Sequence, residues 1–202
     1  YGIPELRQAM ASYYEHRFGV TLDPDSQVAS LIGSKEGIVN TALAFVDPGS
    51  LVLVPDPGYP TYVLGTLLAG GQTYPVPLLP ENDFLPDLDA IPDDVAQSAR
   101  ILWLNFPNNP TGAVAPLSFF ERVVAFGKRY DMLICHDNPY CDVVFGDYVA
   151  PSLLQVPGAN VHASDSGWDI DTAVLYYGES DGRVTAFEPA VHASKDLGDD
   201  ES

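Results

Sequence analysis

Basic residues are scarce in this chain. Nine lysines and arginines stand against 28 aspartates and glutamates, leaving a net charge of −19 over 202 residues. A surface of that sign repels phosphates, which excludes nucleic acid and an anionic membrane as partners. Lysine itself occurs three times, at Lys35, Lys128 and Lys195, so chemistry that needs an amine nucleophile has few candidates. Cysteine occurs twice, and Cys135 closes an apolar run, which reads as a buried thiol rather than a disulfide or metal ligand. The four histidines, His16, His136, His162 and His192, form no cluster with metal-ligand spacing. No apolar stretch approaches the ~20 residues of a membrane helix, and no leader pattern is present. The default expectation is a soluble protein of a reducing, cytoplasmic setting.

The hydrophobic content of 46% suits an ordinary globular core. The acidic excess is uneven: residues 1–159 hold 18 acids and 7 bases, whereas residues 160–202 hold 10 and 2. The chain opens without methionine on Tyr1-Gly2-Ile3-Pro4, with Pro4 in the first turn of a helix. It is expected to begin inside a longer gene product. The acidic end has the look of a segment of separate origin.

Helix and strand signals alternate through the first 159 residues. Leu6, Met10, Tyr13, Tyr14 and Phe18 mark one face of a helix that Gly19 ends. Apolar runs at 28–32, 51–54, 73–78, 101–105 and 132–135 read as strands. Helices are expected at 35–45, 62–68, 93–98 and 116–130, the last burying Leu117, Phe120, Val123, Val124 and Phe126. Strands that are apolar throughout, separated by helices, predict an α/β fold: a mostly parallel sheet with helices on both faces. After Pro157-Gly158 the pattern changes, and 173–177 with 183–187 read as a β-hairpin. Residues 196–202 are polar and acidic and are expected to fray.

The densest chemistry follows two of these strands. Ile101-Leu102-Trp103-Leu104 runs into Asn105-Phe106-Pro107-Asn108-Asn109-Pro110-Thr111-Gly112, and Met132-Leu133-Ile134-Cys135 runs into His136-Asp137-Asn138-Pro139-Tyr140. Polar groups just past the carboxyl ends of neighbouring strands lie where open α/β sheets bind ligands. A carboxylate, an amide and a phenol offered together suit an aromatic nitrogen heterocycle bearing a hydroxyl, as in pyridoxal 5'-phosphate. Each residue alone has a plainer reading: Asp137 as a cap or solvated turn, Asn109 as a turn residue before proline.

With Gly33-Ser34-Lys35-Glu36-Gly37 upstream and Pro55-Asp56-Pro57-Gly58-Tyr59-Pro60 between, these blocks resemble the large domain of a fold-type I pyridoxal-phosphate aminotransferase. The wording is most similar to the LL-diaminopimelate and aspartate aminotransferase-like branch. The resemblance covers residues 1–159, a partial pyridoxal-phosphate-binding large domain, and leaves 160–202 as an unmatched acidic tail. It implies amino-group transfer between an amino acid and a 2-oxo acid, both small molecules, by an enzyme that is a homodimer at full length. It also implies roles: Asp137 at the ring nitrogen, Tyr140 and Asn109 at the ring hydroxyl, Tyr59 stacked on the ring. Ser34 and Lys35 fall in the phosphate-binding turn, although Lys35 could equally point to solvent. Tyr62 reads as core packing, and His136 as a residue that packs or bonds locally.

One part is missing. The lysine that such enzymes join to their cofactor is expected near position 171, where this chain has Asp169-Ile170-Asp171. Lys195 follows a serine but comes roughly two dozen residues later, and reads as a tail lysine. The chain is therefore expected to be incomplete or inactive as an aminotransferase. Two alternatives stay open: a non-catalytic ligand-binding or interaction module that keeps the fold, and a pyridoxal-phosphate lyase that has recruited Lys195.

Overall fold

The computed structural model describes residues 2–159 in full, together with the backbone of 168–178 and 185–195. The first helix, α1 (Pro4–Phe18), starts where Pro4 supplies a helical φ without needing its missing N–H, and stops at Gly19. Gly19 takes a left-handed conformation and returns its N–H to the Glu15 carbonyl. The helix buries Met10, Ala11, Tyr14 and Phe18, close to the face expected from its periodicity.

Four strands form one all-parallel sheet: β2 (Leu51–Asp56), β3 (Gln72–Pro77), β4 (Ala99–Asn105) and β5 (Leu133–Asp137), in the order β3-β2-β4-β5. The parallel crossovers pass through α3 (Pro60–Leu68), α4 (Asp93–Ser98) and α5 (Leu117–Tyr130). A second sheet joins β1 (Val28–Ser30) to β6 (Trp168–Gly178) in parallel and β6 to β7 (Thr185–Lys195) antiparallel. The hairpin expected in the tail is thus present, with strands longer than its apolar runs alone suggest. The expected fraying of 196–202 lies outside the described residues.

Side-chain alternation along β4 assigns both faces of the main sheet. Ile101 and Trp103, with Cys135 of β5, pack against Ile38 and Ala42 of α2 (Ser34–Phe45) and Tyr62 of α3. Leu102 and Leu104 turn the other way, onto Phe119, Phe120, Val123 and Val124 of α5. Burying each such side chain contributes roughly 1.5–3 kcal/mol. At Gly65 a Cβ would meet the Val39 Cα at 3.5 Å, an ordinary van der Waals distance, so α3 and α2 pack with room for an alanine at that position.

Some boundaries and faces differ from the sequence reading. The strand expected at 28–32 ends at Ser30, and α3 begins two residues early because Pro60 is a favoured first helical residue. Leu117, expected on the buried side of α5, opens that helix and stays 37% exposed, while Phe119 enters the core instead.

His136 is fully enclosed, its ring 4.6 Å from that of Phe120. Its Nε2 is 3.1 Å from the Phe106 carbonyl and its Nδ1 accepts the Leu153 N–H at 3.4 Å, an arrangement that suits the neutral ring. The expectation of local packing and hydrogen bonding therefore holds. Burial pushes its pKa down from 6.5 to about 4. Between those values the unfolded chain binds the extra proton, so this stabilisation is complete above pH 6.5 and is lost as pH falls towards 4. The full effect is about 3 kcal/mol. We expect urea melts to show the stability difference between wild type and His136→Gln shift by about that amount in the variant's favour across this window.

Candidate functional site

The register between β4 and β5 pairs Asn105 with Asp137, so the two strands end level and their loops leave side by side. By alternation Asn105 follows Trp103, and Asp137 follows Cys135, onto the side of the sheet covered by α2 and α3. Both residues are buried. A polar side chain at the end of a buried strand must be satisfied, and Asn105 is. Its Nδ2 donates to the Asp137 carbonyl at 2.9 Å, and its Oδ1 accepts the Asn109 N–H at 2.7 Å. One amide thereby straps the end of β5 to the loop that carries Asn109.

That loop is folded by Asn108. Its Oδ1 accepts the Thr111 N–H at 3.1 Å and the Thr111 hydroxyl at 2.7 Å, and its N–H donates to the Ala113 carbonyl at 2.8 Å. Asn109 is half-buried at the rim of this turn.

Asp137 is only 5% exposed. Its Oδ2 accepts a hydrogen bond from the Tyr62 hydroxyl. The Tyr62 ring stacks on Trp103 at 5.0 Å, and Tyr59 meets Tyr62 edge-on at 5.8 Å. The loop after β2 therefore reaches Asp137 through two aromatic rings. Gly58 makes its tight turn possible, since a Cβ there would lie 2.3 Å from the Pro55 carbonyl oxygen, which is backbone and cannot yield. Tyr59 is the residue immediately before α3, held there by Pro60.

Tyr140 follows β5 directly and is 37% exposed. The Val143 N–H donates to its carbonyl at 3.0 Å, closing a β-turn over 140–143. Ser34 and Lys35 open α2, after Gly33 at φ 90°. Ser34 is half-buried and Lys35 exposed, and among the described residues no hydrogen bond or ion pair joins either to Asp137, Asn109 or Tyr140. Tyr59, Asn109 and Tyr140 lie on the segments that leave the ends of β2, β4 and β5, and Asp137 ends β5. Ser34 and Lys35 open α2, which packs on the same face of the sheet as Tyr62 and Trp103.

Two residues of this site were not assigned to it by the sequence reading. Tyr62 does pack in the core, as expected, but also holds the Asp137 carboxylate. Its signal was a phenol on an otherwise apolar helix, one turn after Tyr59. Asn105 had a signal too, as a polar residue ending an apolar strand.

A carboxylate this buried is costly unless something opposite in charge or a hydrogen-bond donor meets it, which suits a cationic ligand group. Nearby, the Asn138 side-chain oxygen and nitrogen and the Asn108 Nδ2 are buried without hydrogen-bond partners among the described residues. Polar capacity is therefore in reserve at this strand end. The donor set fits a flat, cationic, hydroxylated heterocycle.

The family profile described as aminotransferase class I and II matches residues 1–167. The chain belongs to that family. It is 57% identical over 159 residues to the LL-diaminopimelate aminotransferase of Gloeobacter violaceus, covering 78% of this chain and 41% of that protein. The same-named protein of Moorella thermoacetica is 56% identical over 158 residues, covering 78% and 40%. Among solved structures, substrate-bound BacF of Bacillus subtilis superposes with a TM-score of 0.81 at 33% identity, over 94% of this chain and 46% of that one. A probable N-succinyldiaminopimelate aminotransferase of Thermus thermophilus gives 0.75 at 38% identity, over 85% and 44%. These likenesses bear out the α/β architecture. The chain spans about 41% of the length of the first of these curated relatives.

Proposed function

We propose that residues 1–159 form the cofactor-binding part of a pyridoxal-phosphate aminotransferase, with 160–202 a separate acidic segment. The observation that carries this reading is the buried Asp137 carboxylate, level with Asn105 at the strand ends and hydrogen-bonded by Tyr62. When bound, pyridoxal phosphate supplies an electron sink for negative charge at the α-carbon of an amino acid. The chain's own residues serve it as follows. Asp137 keeps the ring nitrogen protonated, Tyr140 and Asn109 donate to the ring oxygen, and Tyr59 covers one face of the ring. Ser34, Lys35 and the exposed N–H groups at the start of α2 receive the phosphate.

For the longer protein we propose amino-group transfer between an amino acid and a 2-oxo acid, carried out by a homodimer in the cytoplasm. The names of the relatives support LL-diaminopimelate as the amino acid. No described helix is long and apolar enough to cross a membrane. Leu64, Leu67 and Leu68 lie exposed on α3, an apolar surface that supports pairing with a second copy.

The lysine expected near position 171 is not at that position. The lysines among the fully described residues are Lys35 and Lys128, and aspartate stands at position 171. The chain therefore binds the cofactor without completing the transfer. That deficit favours the ligand-binding module as the second reading.

Mixing the protein with pyridoxal phosphate and recording the visible spectrum before and after borohydride tests these readings. A spectral shift from non-covalent binding, with no reduced linkage in the peptide map, is the expected result. A reduced linkage mapped to Lys195 would restore the complete-enzyme or lyase reading. No spectral change at all would overturn the proposed cofactor site.

A further inference from the structure

The turn that carries Tyr140 is tied to the far end of the sequence. Tyr13 and Arg17, one helical turn apart on α1, share one face of that helix and converge on a single carboxylate. The Tyr13 hydroxyl donates to Asp142 Oδ2 at 2.5 Å, and Arg17 Nε donates to Asp142 Oδ1 at 2.9 Å. Arg17 adds a third bond, from its Nη2 to the Cys141 carbonyl at 3.1 Å. The Arg17 side chain is 20% exposed and that of Asp142 45%, so the grip sits at the edge of the core, partly shielded from water.

Asp142 is the third residue of the 140–143 turn, whose closing bond fixes it relative to Tyr140. Past the turn, Val144 and Tyr148 pack against the cluster that α1 helps form, and the Tyr148 hydroxyl donates to the Ala115 carbonyl at 3.0 Å. Cys141 enters the core beside Tyr14 and Val28, but Val143 is 70% exposed and Phe145 95%. Apolar burial therefore anchors one residue of the turn, and α1 anchors the next through both carboxylate oxygens. A phenol that must meet a ligand oxygen gains most when its backbone is ordered before the ligand arrives.

We propose that α1 positions Tyr140 for cofactor recognition, with Asp142 as the positioning residue that Tyr13 and Arg17 hold. This rests on the cofactor-site reading above. It assigns to the Tyr13–Arg17–Asp142 cluster the task of ordering the turn that carries Tyr140. The grip acts only through Tyr140, which gives it a signature distinct from a general loss of stability.

The test uses the full chain as wild type, Asp142→Asn, Tyr140→Phe and the double variant, titrated with pyridoxal phosphate and followed by cofactor absorbance. Asp142→Asn is expected to weaken binding about tenfold in the wild-type background and less than about twofold when Tyr140→Phe is already present. Equal weakening in both backgrounds, or none in either, overturns the proposal. Hydrogen exchange over 138–149 gives a second arm that needs no ligand. Asp142→Asn should speed exchange there, and unchanged exchange overturns the positioning role. If wild type binds no cofactor, the proposed cofactor site fails instead, and the exchange result alone decides whether α1 orders the turn. Should Asp142→Asn not fold, Tyr13→Phe removes one of the two carboxylate bonds and is expected to give a smaller effect in the same direction.

Discussion

Asp137→Asn is expected to weaken binding of pyridoxal phosphate by about 10- to 100-fold while leaving the fold intact. The amide keeps an oxygen for the Tyr62 hydroxyl, so the buried contact between α3 and β5 survives. What it removes is the charge. A hydrogen bond to a charged group is worth about 1.5–3 kcal/mol, which corresponds to that range in a dissociation constant. Absorbance titration at fixed pH, together with a thermal melt, separates the two effects. Asp137→Ala should behave differently, because it takes the acceptor away from a phenol that is 1% exposed. The alanine variant should lose about 1–3 kcal/mol of stability as well as affinity. An asparagine variant that binds as tightly as wild type would show that Asp137 does not meet the ring nitrogen.

The largest expected loss of stability comes from Trp103→Ala, at about 3–5 kcal/mol by urea denaturation. Trp103 is 3% exposed in β4, and its ring stacks on Tyr62 with an interplanar angle of 12°. Removing it leaves a cavity between β4 and α3 and takes the stacking partner from Tyr62. A domain of this size has only about 5–15 kcal/mol to spare, so the variant sits near its folding threshold. Trp103→Phe keeps an aromatic face for Tyr62 and should restore most of the loss. A Trp103→Ala protein that melts like wild type would mean that the α2/α3 side of the sheet contributes little to stability.

The two variants probe the same line of contacts from opposite ends. Trp103 supports Tyr62, Tyr62 holds Asp137, and Tyr59 rests against Tyr62. The candidate site and the core on this face of the sheet are therefore joined through Tyr62.

The framework was legible because its strands are buried on both faces. Ile101 to Leu104 offer no polar residue to either side, and a segment of that kind has no stable place except inside a covered sheet. The helix α5 was legible from Phe120, Val123 and Val124, which recur at helical spacing and do face the core. The 3-10 turns have no signature that a sequence reading registers. The 3-10 turn Leu153–Gln155 carries a capping box from Ser152 and Gln155, but three residues are too few for periodicity to register. Of the site, Asp137, Asn109, Tyr140 and Tyr59 could be named because the blocks containing them have a recognisable wording. Tyr62 could not, because a tyrosine on an apolar helix has the same local pattern whether its hydroxyl meets water or a carboxylate.

The sequence by itself determined the alternation of buried strands and amphipathic helices, the polar blocks at two strand ends, and the absence of lysine near position 171. These are properties of neighbours along the chain, set by periodicity, by charge and by which residues can end a strand. The tertiary structure alone decided that Asn105 straps Asp137 to the Asn109 loop, that Tyr62 reaches Asp137 across 75 residues, and that Tyr13 and Arg17 grip Asp142 across about 125. Such contacts depend on strand register and on how closely helices pack, and both emerge only when distant segments fold together.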